Sequence, residues 1–400
     1  MGRVRATQVR PPFSSIGSPP LNQSSTSVSA PEPASDRTLE SPDRAASEGD
    51  IPKGGLPDAE SPNGASTSGD SPEDGPSREW LKMTRPYMDP DPVRSVSGLA
   101  VSLIGFVGFW IAAFLALEVS YLLTLLLTVP TAAFLVRLFM IQHDCGHGSY
   151  FRSRTARDVV GFCIGVLTLT PYQYWRRTHA HHHAHTGDLD LRGFGDVETL
   201  TVREYQALSK RGRLGYRIYR NPVTLLLLGP LFHFVLKHRY PREVPREWTQ
   251  AWRSIWATNA CLAGILILAA FTIGLIPFLM VQGPVTLMAG ATGILLFYVQ
   301  HQFEETYWDR APDWDFFEAA VYGSSHLVLP KPLQWMTASI GLHHVHHLSS
   351  RIPSYRLQEC LDANPALQEA TRVTLKDSAR LFRLTLWDED RGRMIRFNEL

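Results

Sequence analysis

Cysteine is scarce in this 400-residue sequence: Cys145, Cys163, Cys261 and Cys360 are the only four, and no two form a C-x-x-C pair. That excludes a disulfide framework and the cysteine spacings of haem and iron–sulfur proteins. A reducing, cytoplasmic setting is the simpler reading. A glycine-rich dinucleotide motif is missing as well. Net charge is almost absent, at +1, so nothing argues for a nucleic-acid partner. Residues 1–79 hold very few large apolar side chains and are dominated by Ser, Pro, Gly, Ala and acids. Such a stretch cannot bury enough apolar surface to offset the entropy of ordering, and is expected to be a disordered low-complexity tail. Its start carries Arg3, Arg5 and Arg10 but no acid before Glu32. This only faintly matches a transit peptide, and no apolar segment follows, so a soluble tail is the preferred reading.

From Trp80 onward the chain is rich in Leu, Phe, Trp and Tyr. A spanning helix needs about 20 mostly apolar residues. Residues 97–117 and 120–141 fit, joined by Glu118-Val119, with Pro130 inside the second run. Residues 256–280 and 285–299 form a second pair, with Gln282-Gly283-Pro284 read as the turn between them. Two further runs, 159–170 and 223–236, are too short to span and suit interfacial or re-entrant segments. Lys and Arg are missing from both hairpin tips, whereas Arg152, Arg154, Arg157, Arg176, Arg177, Lys237, Arg239, Arg242 and Arg253 flank the bases. Under the positive-inside rule the bases and both termini face the cytoplasm. The expected fold is therefore all-α and integral to the membrane: four transmembrane helices in two hairpins beneath a cytoplasmic helical cap. Beyond Asn364-Pro365 the pattern suggests a soluble helix near 367–375, and residues 386–400 are read as a C-terminal tail.

Histidine is abundant where cysteine is not. Eleven of the fifteen histidines fall in three windows. The first is HDCGH, where His143 and His147 stand at i and i+4 and so share a helix face. The second, HAHHH, sets His179 against His182 and His183; the third, HHVHH, sets His343 against His346 and His347. By the orientation argument the second hairpin also ends in the cytoplasm, at His301, which can join the same site. Eight or nine imidazoles without a thiolate exceed the needs of one ion and suggest two. Imidazole ligation suits Fe, Cu, Zn or Ni, and the residues alone do not separate these.

The three boxes, with GHGSYF, GVLTLTPYQYWRRTHAHHH, VQHQFEETYW and GLHHVHHLSSRIPSYRL around them, resemble membrane-bound fatty acid desaturases over roughly residues 85–385, within a membrane domain expected over 80–385. The nearest likeness is to the acyl-lipid branch of the Δ12 or ω6 type. The resemblance implies two ferrous ions held by His143, His147, His179, His182, His183, His343, His346 and His347, with His301 as an extra ligand. His181, His185 and His344 occupy variable positions and are not assigned. It implies an O₂-dependent reaction that leaves a cis double bond in an acyl chain on a lipid or acyl carrier. It also implies a separate electron donor, ferredoxin-like or cytochrome b5-like. Met140, Tyr174 and, as substrate contacts, Tyr172, Trp175 and Trp335 are candidate walls of an acyl tunnel. Acids expected behind the ligands are Asp144, Asp188, Asp190, Asp196, Glu304 and Glu305. A bacterial inner membrane is the preferred location, with an organellar or endoplasmic reticulum membrane as the alternative. The rival readings are a carotenoid ketolase or hydroxylase, an alkane hydroxylase, a metal transporter and a histidine-rich lipid-binding scaffold. Transport would need polar groups deep within the spans, where this sequence has almost none.

Overall fold

The computed structural model describes residues 76–400; the tail expected over 1–79 therefore lies almost wholly outside the described residues. Helix α1 (Pro76–Thr84) leads to α2 (Pro92–Leu115), where Asp91 caps the N-terminus by accepting from the backbone N–H of Val93 and Arg94. Pro92 follows at the first helical position, where its missing N–H costs nothing. A single turn, Ala116–Glu118, connects to α3 (Tyr121–His147). Next come α4 (Arg154–Leu167), α5 (Tyr172–His185), α6 (Val202–Ala207) and α7 (Lys210–Tyr219). The second hairpin is α8 (Thr249–Thr272) and α9 (Leu275–His301). Short helices α10 (Phe316–Tyr322), α11 (Lys331–Met336) and α12 (His343–Leu348) complete the cap.

Among the described residues, four helices are long and apolar enough to cross a membrane: Pro92–Glu118, Tyr121–His147, Thr249–Thr272 and Leu275–His301. The first hairpin lies where the hydropathy placed it. The second differs: its turn is at Ile273-Gly274, not at Gln282-Gly283-Pro284. Gly274 takes a left-handed φ of 84°, which glycine adopts without steric cost. Pro277 then falls in the first turn of α9, where a backbone N–H has no partner to lose. Gln282 sits inside the helix, accepting from Trp110 Nε1 at 3.0 Å and donating to Thr286 at 3.0 Å. Pro284 is tolerated as prolines in spans are, with neighbouring groups satisfying the freed carbonyl.

The short run 159–170 is largely α4. The run 223–236 forms two wide turns, Thr224–Leu228 and Leu231–Leu236, in which the N–H of Gly229 reaches back five residues to Thr224. The stretch 367–375 is not one helix: the preceding helix ends at Ala363, before Asn364-Pro365, a 3-10 turn covers Pro365–Glu369, Arg372–Thr374 is a strand parallel to His326–Val328, and a new helix starts at Leu375. The residue before a proline is pushed out of helical geometry, which sets that boundary. Residues 386–400, expected as a tail, are folded in. Leu386–Asp388 pairs antiparallel with Arg393–Ile395 and parallel with Leu200–Thr201. Met394 and Trp387 pack in one core with Val136, Tyr298 and Phe303. Arg220, 1% exposed, pins this region to the end of α9. It donates to Tyr298 Oη and Gln302 Oε1 at 2.9 Å each and to the Leu384 carbonyl at 3.0 Å.

Candidate metal centre

A 27-residue helix such as α3 or α9 is about 40 Å long, exceeding the ~30 Å hydrocarbon core. Its last turns therefore emerge, and those turns carry His143 and His147 on α3 and His301 on α9. Helix α5 brings His179, His182 and His183; α12 brings His343, His346 and His347. The structure gathers all nine into two groups, each with ligand atoms within 4.8 Å of one another. One group is His143, His147, His179, His183 and His346; the other is His182, His301, His343 and His347.

This division explains the H-x-x-H-H spacing. Positions i and i+4 share a helix face, while i+3 and i+4 are about 100° apart around the axis. In α5 the pair His179–His183 serves the first group and His182 the second. In α12 the pair His343–His347 serves the second group and His346 the first. Each helix thus contributes to both groups, and the box is a device for addressing two centres from one turn of helix.

The donor set fits metal ions on its own geometry. Nε2 atoms approach each other at 3.2 Å for His179–His183, 3.1 Å for His183–His346, 2.9 Å for His301–His343 and 3.1 Å for His343–His347. Two nitrogens each about 2.1 Å from one ion and at right angles stand about 3.0 Å apart. The Nε2 atoms of His147 and His182 are buried without any hydrogen-bond partner, an arrangement that a ligated ion would satisfy. Burial pushes His179, His183, His343, His346 and His347 well below the ordinary imidazole range, and neighbouring imidazoles add to it. They are neutral at pH 7 and present lone pairs.

Three of the far ring nitrogens are held, whereas His343 Nδ1 is buried without a partner. His182 Nδ1 bonds Asp196 Oδ1, His143 Nδ1 lies 3.2 Å from Asp144 Oδ1, and His301 Nδ1 lies 3.1 Å from the Gly323 carbonyl. Asp144 is fixed in turn by the Ser354 N–H at 2.7 Å. Of the six acids expected behind the ligands, these two hold histidines. Asp188 caps its own loop at Asp190 N, Asp190 pairs with Arg310, and Glu304 pairs with Arg393. His344 points away, toward the Leu367 carbonyl at 2.9 Å, and His181 and His185 stack on each other.

Of the candidate substrate contacts, Trp175 reaches the centre. Its ring stacks on His179 at 4.5 Å and lies 5.6 Å from His143. Gly146 leaves room for it, since a Cβ there would come within 2.8 Å of the indole. Tyr172, 1% exposed, is packed against Gly161 of α4, and Met140 is in the core. Tyr174 packs with Val244 and Trp248. Trp335 is 45% exposed, with Arg137 over its ring at 4.0 Å. Next to Phe139 is an apolar cavity lined also by Val136, Leu169, Phe234, Gly290 and Gly293. It was not readable from the sequence, because its walls come from four separate segments. Phe139 joins it to Trp175, with ring centroids 5.5 Å apart.

Fold and site together define a membrane protein with two histidine-only groups, each able to hold a metal ion. The fatty acid desaturase family profile matches residues 119–377, and the chain belongs to that family of oxidoreductases. It is 41% identical to a fatty acid desaturase of Bacillus subtilis over 323 residues, covering 81% of this chain and 91% of the relative. It is 28% identical to the sn-1 oleoyl-lipid 12-desaturase of Synechocystis, over 65% of this chain and 71% of that one. It is 27% identical to the sn-1 acyl-lipid omega-3 desaturase (ferredoxin) of the same organism, over 62% and 70%.

Proposed function

We propose that the chain is an O₂-dependent fatty acyl desaturase that introduces a cis double bond into a membrane acyl chain, with two ferrous ions held by the nine histidines. The observation that carries this is the division of nine imidazoles, six buried and three half-buried, into sets of five and four. One octahedral ion takes about six ligands, so nine call for two ions. Bound iron, with O₂, supplies the oxidising power to break two adjacent methylene C–H bonds, which lies beyond side-chain acids, bases and nucleophiles.

The chain's own residues do the rest. Asp196 and Asp144 fix the rings of His182 and His143, so the lone pairs point inward. The apolar cavity beside Phe139 and Trp175 receives the acyl chain and keeps water from it. The basic residues around the histidine end, against tips without Lys or Arg, support a cytoplasmic site with both termini on the same side. Electrons come from a separate ferredoxin-like protein, with a cytochrome b5-like donor as the alternative; the name of the Synechocystis ω3 relative carries ferredoxin. The 12-desaturase relative supports Δ12 as the position, on an acyl lipid.

Gas chromatography–mass spectrometry of fatty acids from a host lacking its own desaturase tests this. Expression should yield new cis double bonds, at Δ12 when oleoyl lipids are supplied, and His182→Ala should abolish them. An unchanged profile, or oxygenated carotenoids instead, contradicts the reading.

A further inference from the structure

Arg239 carries a charge that no acid near it balances. Its guanidinium donates to Asn259 Oδ1 at 2.9 Å, to the Leu169 carbonyl, and to the Phe234 carbonyl at 3.4 Å. Asn259 Nδ2 donates back to the Arg239 carbonyl at 2.9 Å. Every one of these acceptors is neutral. The nearby acid, Glu243, is taken by Lys237 at 2.9 Å. Among the described residues no carboxylate forms an ion pair with Arg239, and its Nε is buried without a partner. Burial alone pushes the guanidinium down to about 10.

The surroundings are those of a lipid interface. Asn259 lies ten residues into the spanning helix α8. Tyr240 and Trp256 are exposed and in ring contact, and Phe232 and Leu236 on the preceding wide turn are exposed too. Exposed aromatics at a helix end mark the headgroup level, and an unpaired ionisable group at that depth is a functional candidate. Both carbonyls that Arg239 holds belong to residues lining the apolar cavity, Leu169 and Phe234. The cavity therefore has a half-buried cation beside it and, through the contact of Phe139 with Trp175, a link to the histidines.

We infer that Arg239, supported by Asn259, binds the phosphodiester of a membrane phospholipid whose acyl chain lies in this cavity. A guanidinium matches phosphate oxygens with two parallel donors, and the match is strongest where water is scarce. The acyl occupant rests on the desaturase reading above; the phosphate site rests on the unpaired charge.

The test uses full-length, iron-loaded protein in neutral detergent. Dioleoylphosphatidylglycerol and dioleoylglycerol, each with a diazirine in one chain, are titrated and the cross-linked peptides mapped. The phospholipid should label the segments around 135–139 and 286–293 at a concentration at least about tenfold lower than dioleoylglycerol. Arg239→Gln should remove that preference, and Arg239→Lys should keep part of it. Gly293→Leu, at a position where an added Cβ meets nothing within 4 Å, should block labelling by both lipids. Inorganic phosphate at the same concentration should not compete. An undiminished preference in Arg239→Gln, competition by inorganic phosphate, or labelling that survives Gly293→Leu overturns the proposal. The last of these decides the matter even where Arg239→Gln fails to fold. Because binding is read without turnover, lipid binding without any double bond refutes the desaturase reading alone. An active desaturase with no phosphate preference refutes only this inference.

Discussion

Replacing Asp196 by Asn should weaken one metal centre and spare the other. Asp196 accepts from His182 Nδ1, and this pair is nearly buried, with side-chain exposures of 11% and 1%. His182 belongs to the group of four, with His301, His343 and His347. The carboxylate fixes which ring nitrogen carries the proton and makes Nε2 a better donor. Loss of such an outer partner typically costs 10–100-fold in metal affinity, or about 1.4–2.7 kcal/mol. The group of five contains no ring held by Asp196, so its affinity should change less than about twofold by the additivity expected of separate sites. The assay is iron retained per chain against a graded chelator, read by inductively coupled plasma mass spectrometry. Wild type should lose iron in two nearly equal steps, and in Asp196→Asn one step should move to lower chelator while the other stays. Equal movement of both steps, or none, would refute the assignment of His182 to a separate centre.

Other outcomes follow from the same geometry. His346→Ala should shift the step that Asp196→Asn leaves in place, although His346 adjoins His347 in sequence; chelator titration of the double variant should then move both. Trp175→Ala should lower turnover while retaining iron, whereas Trp335→Ala, at an exposed ring far from the histidines, should leave both within about twofold; fatty acid analysis and metal content together check this. Arg220→Met should destabilise the fold by about 3 kcal/mol or more, because it strands buried carbonyl and hydroxyl partners; a thermal melt in detergent reads it. Metal-stripped protein should lose stability as pH falls. Histidines such as His179, His183 and His347 have native values well below their ordinary one near 6.5. The unfolded chain therefore takes up protons first, so the melting temperature should be level above about pH 6.5 and drop below it.

Much of this was legible in the residues, for physical reasons. Twenty-residue apolar runs have one stable solution in lipid, so the four spans could be read. The i, i+4 histidine pairs announced a shared face. What the residues could not announce was which pairs share a centre, because that depends on how α5 and α12 cross beneath α3 and α9. The second hairpin's turn was misplaced since Gly283-Pro284 carries the usual turn signal, while Gly274 sits in an unbroken apolar run. Residues 386–400 escaped because strands of three residues around Glu389, Asp390 and Arg391 have no period to detect. Met140, Tyr172 and Tyr174, read as candidate tunnel walls, pack in the hydrophobic core. The uncompensated charge of Arg239 became visible only once its neighbours were known to be neutral.

The most direct test of the central claim is the iron content of the chain purified anaerobically under reducing conditions. The account predicts two tightly held irons per chain, falling to about one in His301→Ala, a variant that removes one of the four ligands of the smaller group. One iron or none in the wild type, or zinc or nickel that exchanges freely in place of iron, would contradict it.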